Sequence, residues 1–282
     1  MEALTLDPGL IDDAVRRALD EDLGDAGDIT TAATVPPQAY ARAVIAARKA
    51  GVIAGLPVAA SVFALVDPNI QTTFRKVDGD GVRPGEVVME IRGPARGILT
   101  AERTALNFLG RLSGIATATA EIVRAISHTK ARICCTRKTT PGLRVLEKYA
   151  VRCGGAVNHR MGLYDQVLIK DNHIAAAGGV AAAIRAAKAA APGITIEVEV
   201  DTLAQLDEAL VEGVDQVLLD NMEPPLLKQA VARVAARAVT EASGSITKTS
   251  APAIAETGVD LLSVGWITHS APCLDLGLDF LS

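Results

Sequence analysis

From Ile133 onward the chain repeats a single pattern: a short apolar run, then a longer, usually Ala-rich stretch of helical period. The apolar runs fall at residues 133–135, 167–169, 195–198, 216–219, 238–240 and 261–264. Helical stretches at 176–190, 203–211, 225–236 and 249–256 separate most of them. Runs of strand length alternating with helices predict parallel strands covered by helices, in either a barrel or a doubly wound open sheet. The strand ends choose between these. Arg137 and Lys138 follow the first run, Lys170 the second, Glu199 the third, Asp220 the fourth, Glu241 and Ser243 the fifth, and Gly265 the sixth. A barrel gathers all such ends into one ring at its carboxyl face. An open sheet would concentrate them at one switch point. The barrel is the expectation, and six evident strands predict fewer than eight.

The first part of the chain reads differently. A helix is predicted at 12–19 and strands at 43–47, 72–77 and 87–91, a mixed α+β pattern. Residues 78–88 read as a structural hairpin, and 98–127 as a long helical stretch interrupted near Ser113-Gly114. Two domains are expected, 1–112 and 113–269, with a tail, 270–282, packing back on the first.

Aromatic residues are only 3%, so the core must be aliphatic, and the stacking faces that single-stranded nucleic acid needs are scarce. A formal net charge of -5 also argues against nucleic acid. No run spans a bilayer and residues 1–10 lack a basic, then apolar, leader pattern, so a cytoplasmic protein is expected. Cys134, Cys135, Cys153 and Cys273 form no C-x-x-C pair, which predicts free thiols rather than zinc or a disulfide framework.

Against the global sign, positive charge gathers between Arg137 and Lys170. Arg137, Lys138, Arg144, Lys148, Arg152, Arg160 and Lys170 face only Glu147 and Asp165 there. That concentration suits a small anionic ligand. Arg144, Lys148 and Arg152, spaced by four, read as a surface helix stripe. The pairs Arg137-Lys138 and His159-Arg160 combine a guanidinium fork, which grips planar carboxylates, with a point charge suited to phosphate. Lys170 reads as either a Schiff-base nucleophile or a phosphate clamp. Glu199 and Asp220 suit Mg²⁺, sugar hydroxyls or a developing positive charge on a ribose carbon. Glu197, two residues before Glu199, should share its face. Ser243-Gly244-Ser245 and Val264-Gly265 stand where late barrel loops often hold a phosphate.

These residues carry a resemblance. CTRKTTPGLRVLEKYAVRCGGAVNHRMGLYDQVLIKDNH, with EDLGDAGDITT, LTAERTALNFLGRLSGIAT, EVEVDTLAQ, VLLDNM and LLSVGWITHSAP, is similar to the quinolinate phosphoribosyltransferases over nearly the whole chain. The resemblance implies an α/β fold: an N-terminal α+β sandwich domain, then an incomplete, seven-stranded or similar, α/β barrel. It implies a decarboxylating glycosyl transfer from phosphoribosyl pyrophosphate to quinolinate, with Mg²⁺, in NAD biosynthesis. It implies a homodimer or higher homo-oligomer in which Arg103 reaches the partner's site. Arg103, Arg137, His159 and Arg160 would hold the quinolinate carboxylates, with Thr136 and Lys138 nearby. Lys138 and Lys170 would meet phosphates, Glu199 and Asp220 the ribose and metal. Ser243, Gly244, Ser245, Val264 and Gly265 would cradle the 5′-phosphate. Cys135, Ser245 and Trp266 depart from residues usual in relatives. The alternatives are a phosphoribosyltransferase of another heterocycle and a Schiff-base aldolase using Lys170.

Overall fold

A computed structural model describes residues 5–281; residues 1–4, within the stretch read as free of a leader, and residue 282 lie outside the described residues. In chain order the elements are α1 (Pro8–Leu23), α2 (Ile29–Thr34), β1 (Tyr40–Ala47), β2 (Gly51–Val52), α3 (Leu56–Val66), β3 (Gln71–Phe74), β4 (Gly81–Val82) and β5 (Val87–Pro94). Then come α4 (Ala95–Ala125), β6 (Arg132–Cys134), α5 (Arg144–Cys153), β7 (Val167–Ile169), α6 (Asp171–Ala177), α7 (Val180–Ala190), β8 (Ile196–Val200) and α8 (Leu203–Glu212). The chain finishes with β9 (Gln216–Asp220), α9 (Pro224–Val234), β10 (Val239–Ser243), α10 (Ala251–Ala255), β11 (Leu261–Ser263), α11 (Trp266–His269) and β12 (Leu276–Phe280).

The elements fall into two compact units. One gathers residues up to 120, 140–155 and from 268 onward; the other comprises 121–139 and 156–267. In the first unit an antiparallel sheet runs β12-β1-β5-β3. β4 pairs with β2 and not with β5, so residues 78–88 are not the expected hairpin. Asp78 explains why: its carboxylate accepts the Gly55 and Leu56 N–H groups that open α3, which ties this turn to a different part of the chain. α4 is continuous through Ser113-Gly114, contrary to the expected break. Gly114 serves a close approach instead, since a Cβ there would collide with the Pro272 carbonyl. Ser113 is buried and its hydroxyl is paired with the backbone of Ala54.

α5 corrects the reading of the basic stripe. It belongs to the first unit, and Lys148 on it is buried, at 1% exposure, rather than on the surface. The acid of that stretch, Glu147, is fully buried too, and accepts from Arg111 Nη2 (2.8 Å) and from the Thr140 hydroxyl (2.7 Å).

The second unit is a parallel sheet of order β6-β11-β10-β9-β8-β7. A single parallel bridge adds Val157 beside Cys134. Six strands and one bridge make the incomplete α/β barrel. Period-two alternation sets its faces: Ile196, Val198 and Val200 point one way along β8, while Glu197 and Glu199 point the other. Helix ends are marked in the sequence. Thr202 and Gln205 form a capping box on α8, and proline opens α9. Gly178 and Gly179, both at positive φ, divide the expected helix 176–190 into α6 and α7.

Candidate active site

The carboxyl ends of the parallel strands surround a cavity of ≈ 570 Å³. Thr136, Arg137 and Lys138 enter it after β6, His159 and Arg160 from the segment before β7, and Lys170 from the end of β7. Glu199 comes from β8, Asp220 from β9, and Ser243, Gly244 and Ser245 from the end of β10. Of the expected site residues, Val264 is buried and Gly265 does not line the cavity; Ser263 of β11 does. Arg103 is an exposed residue of α4 in the first unit. Of the seven cations in the basic stretch, four line the cavity: Arg137, Lys138, Arg160 and Lys170.

The guanidinium of Arg160 is pulled below its ordinary value, first by burial and then by the charge of Arg137 beside it. The Nε of Arg137 is buried with no hydrogen-bond partner. Two crowded guanidinium groups with an unused donor favour a bound anion, which relieves both the repulsion and the unmade bond. Arg160 is held in place by its own Nη1, which donates to the Gln166 carbonyl at 3.0 Å.

Opposite charges complete the wall. Lys170 Nζ lies 2.8 Å from Glu199 Oε2, an ion pair at the mouths of adjacent strands. The Lys170 N–H donates to His173 Nδ1, which starts α6 immediately after the strand and fixes where the lysine leaves the backbone. Asp220 accepts from Asn221 Nδ2 at 2.6 Å. Asn221 sits at φ 51, the left-handed region that Asn tolerates, and its N–H donates to the Ser243 carbonyl. Gly244 is at φ 140, and a Cβ there would meet Asn221 Oδ1 at 3.0 Å. The β9 and β10 loops therefore lock together only with glycine at this position. Trp266 braces the same loop by donating Nε1–H to the Ile246 carbonyl at 2.9 Å.

Beneath this wall lies a polar network. His159 Nδ1 accepts the Arg160 N–H (2.8 Å), so its Nε2 carries the hydrogen and donates to Glu197 (2.8 Å). Gln166 also donates to Glu197, and Gln216 donates to both Glu197 and Glu241. His159, Glu197 and Glu241 present the geometry of a metal-binding group. Their facing atoms are, however, engaged with one another and with Gln166, Gln216 and Ser263, which describes a hydrogen-bonded floor.

Sequence reasoning did not assign Leu168, Leu218, Asn221, Glu241 or Ser263 to the site, yet all line the cavity. The signal for Glu241 was present: it stands two residues before Ser243 on one strand, so both side chains face the same way. Leu168 and Leu218 carry no such mark, because an apolar strand residue reads alike on either face of a buried parallel sheet.

An incomplete parallel barrel with a cation-rich cleft at its strand ends defines a barrel protein built to receive a small polyanion. Comparisons with known proteins make the class specific. A family model described as quinolinate phosphoribosyl transferase, C-terminal domain, matches residues 115–279, and one for the N-terminal domain matches 28–113. Nicotinate-nucleotide pyrophosphorylase (carboxylating) of Mycobacterium leprae is 49% identical over 272 residues, covering 95% of this chain and 96% of that protein. The probable enzyme of that name from Bacillus subtilis is 46% identical over 260 residues, covering 92% and 89%. The solved nicotinate-nucleotide pyrophosphorylase of Francisella tularensis superposes with a TM-score of 0.95 at 40% identity, covering 100% of both chains. The chain belongs to the quinolinate phosphoribosyltransferase family.

Proposed function

We propose that this protein transfers the phosphoribosyl group of phosphoribosyl pyrophosphate to the ring nitrogen of quinolinate, releasing pyrophosphate and CO₂ and yielding nicotinate mononucleotide for NAD biosynthesis. Family membership supports this reading. The observation that carries it is a single cavity lined by Arg137, Lys138, Arg160 and Lys170 together with Glu199 and Asp220. Two guanidinium forks suit a pyridine with two carboxylates; two ammonium groups suit phosphates.

The placement of these side chains supports the following roles. Arg137 and Arg160 hold the pyridine carboxylates, with Thr136 at the edge of that subsite. Both ring nitrogens of His159 have partners in the floor, so its imidazole shapes the subsite from below. Lys138 and Lys170 meet the pyrophosphate. An arriving phosphate competes with Glu199 for Lys170, which frees that carboxylate to face the ribose. Glu199 and Asp220 then stabilise the oxocarbenium-like carbon as its bond to pyrophosphate breaks. The alkylated ring nitrogen, now cationic, stabilises the electron pair left on the adjacent ring carbon when its carboxylate departs as CO₂, and that carbon then takes up a proton from water. A fork on the departing group would oppose its loss, so the tighter fork belongs on the retained carboxylate. The 243–245 loop, with the turn at Val264 and Gly265, receives the 5′-phosphate.

Glu199 and Asp220 offer hard oxygen donors without imidazole or thiolate, a set that fits Mg²⁺ with most of its waters retained. When bound, the ion supplies charge neutralisation to the leaving pyrophosphate. The protein is read as a homodimer or larger homo-oligomer in which Arg103, exposed on α4, completes the partner's subsite. A functional division near residue 113, between domains 1–112 and 113–269 with the tail 270–282, is supported by the spans of the two family models. No helix among the described residues is long and apolar enough to cross a membrane, and the four cysteines are free, which supports a cytoplasmic setting. A Schiff-base aldolase is disfavoured because Lys170 Nζ is engaged with Glu199 Oε2 at 2.8 Å rather than standing free to attack a carbonyl.

Stoichiometric pyrophosphate and CO₂ release from quinolinate, with none from nicotinate, is the expected result. Turnover of nicotinate without CO₂ would overturn the reading. Chelation of divalent cations should abolish turnover, and added Mg²⁺ should restore it.

A further inference from the structure

The floor of the cleft contains more acid than its neighbours neutralise. Glu197 and Glu241 are fully buried, and their oxygens lie with a ring nitrogen of His159 inside a 4.8 Å cluster. His159 Nε2 lies 2.8 Å from Glu197 and 3.6 Å from Glu241, and its pull on Glu241 is outweighed by burial and by the charge of Glu197. Two ionised carboxylates so close and so dry repel strongly, and one proton removes the repulsion.

Hydrogen bonding shows which acid has room for it. Glu197 accepts three N–H groups, from His159, Gln166 and Gln216, and both of its oxygens are used. Glu241 accepts one N–H, from Gln216, at Oε2. Its Oε1 contacts the Ser263 hydroxyl, which also receives the Cys134 thiol. A hydroxyl can reverse its role and accept an O–H from the carboxyl group. Glu241 also lines the cavity, whereas Glu197 does not.

Resting on the proposed quinolinate site, we infer that Glu241 carries a proton in the empty cleft and that the pyridine dicarboxylate binds to this protonated form. The residue acts through charge, as a positioning residue beneath the ligand. The groups facing it are Cys134 on β6, His159 before β7, Glu197 on β8, Gln216 on β9 and Ser263 on β11, with the Arg160 charge felt from the Glu197 side; Glu197 favours the proton, while His159, Ser263 and Cys134 pull against it. Burial, and then the charge of Glu197, raise Glu241 to about 7, which places the proton's loss within the working range. A ligand carrying two negative charges favours the neutral carboxyl, so binding and protonation reinforce one another by linkage.

Two measurements test this. The Glu241 carboxyl carbon, assigned from its disappearance in Glu241→Gln, should titrate by NMR with a midpoint near neutrality; a midpoint in the ordinary carboxylate range overturns the inference. Calorimetric binding of pyridine-2,3-dicarboxylate, alone, in buffers of different ionisation enthalpy should show proton uptake near about pH 7.5. The wild-type Kd should weaken about tenfold or more from about pH 6 to about 8.5, while Glu241→Gln shows neither uptake nor that weakening. Equal proton uptake in both proteins overturns the inference. Binding absent at every pH sinks the quinolinate reading and the linkage with it, while the NMR midpoint still decides where the proton sits. Should Glu241→Gln fail to fold, Glu241→Asp provides the assignment, and the wild-type measurements stand on their own.

Discussion

Single residues carry the anion chemistry, and their contributions are separable. If Lys138 is aimed at the leaving group as proposed, Lys138→Ala should lower kcat about 10²-fold or more in steady-state assays. Arg137→Lys keeps a charge but loses the fork, so its larger effect should fall on the KM for quinolinate. Glu241 has a second signature, in stability. Its folded-state pKa, about 7, lies above the ordinary carboxylate value, so between the two the folded state holds a proton that the unfolded chain has released. Stability contributed by this group is therefore full below the ordinary value and declines as pH rises towards about 7. Urea unfolding across that interval should show the decline in the wild type, and a flatter profile in Glu241→Gln. The cationic positions were legible in the sequence because charges after apolar runs stand out. Lys148 was not, since a lysine at spacing four from two arginines reads as a solvated stripe unless the neighbouring helix is known.

At the scale of elements, the strand–helix repeat was legible and its punctuation less so. Every parallel strand expected from apolar runs is present, mostly shifted by a residue or two at the ends. Glycine misled in both directions. Gly114 looked like a break and is a contact point within α4, whereas Gly178-Gly179 split a stretch expected to be one helix. The difference is tertiary: helix propensity counts the missing side chain as a cost, but a close backbone neighbour makes it a requirement. Gly114→Ala should therefore cost about 1–3 kcal/mol in thermal or urea unfolding, despite alanine's better helix propensity. The Arg111–Glu147 pair links α4 to α5, with the glutamate fully buried. Arg111→Leu would leave that acid without its cation, and unfolding measurements should show a loss of about 3–5 kcal/mol. The tail 270–282 was expected to pack on the first domain, but its antiparallel pairing with β1 left no local trace, because the two strands lie at opposite ends of the chain.

At the scale of the whole molecule, the two units differ in how they are threaded. The barrel unit is nearly continuous in sequence, while the first unit takes segments from three places along the chain. The proposed assembly, in which Arg103 would be supplied to a neighbour, adds a further dependence. Mixing Arg103→Ala with Lys138→Ala, each expected to be strongly impaired alone, should restore a part of the activity by forming hybrid sites; no recovery after verified subunit exchange would place Arg103 outside the shared site.

The outer partner of β1 is the last strand of the described chain, Ala43 meeting Phe280. During synthesis, strands made early must wait with a bare hydrogen-bonding edge until the whole intervening barrel has left the ribosome. That interval is when a nascent chain of this design is most exposed to self-association, and when a chaperone that shields strand edges would raise its yield.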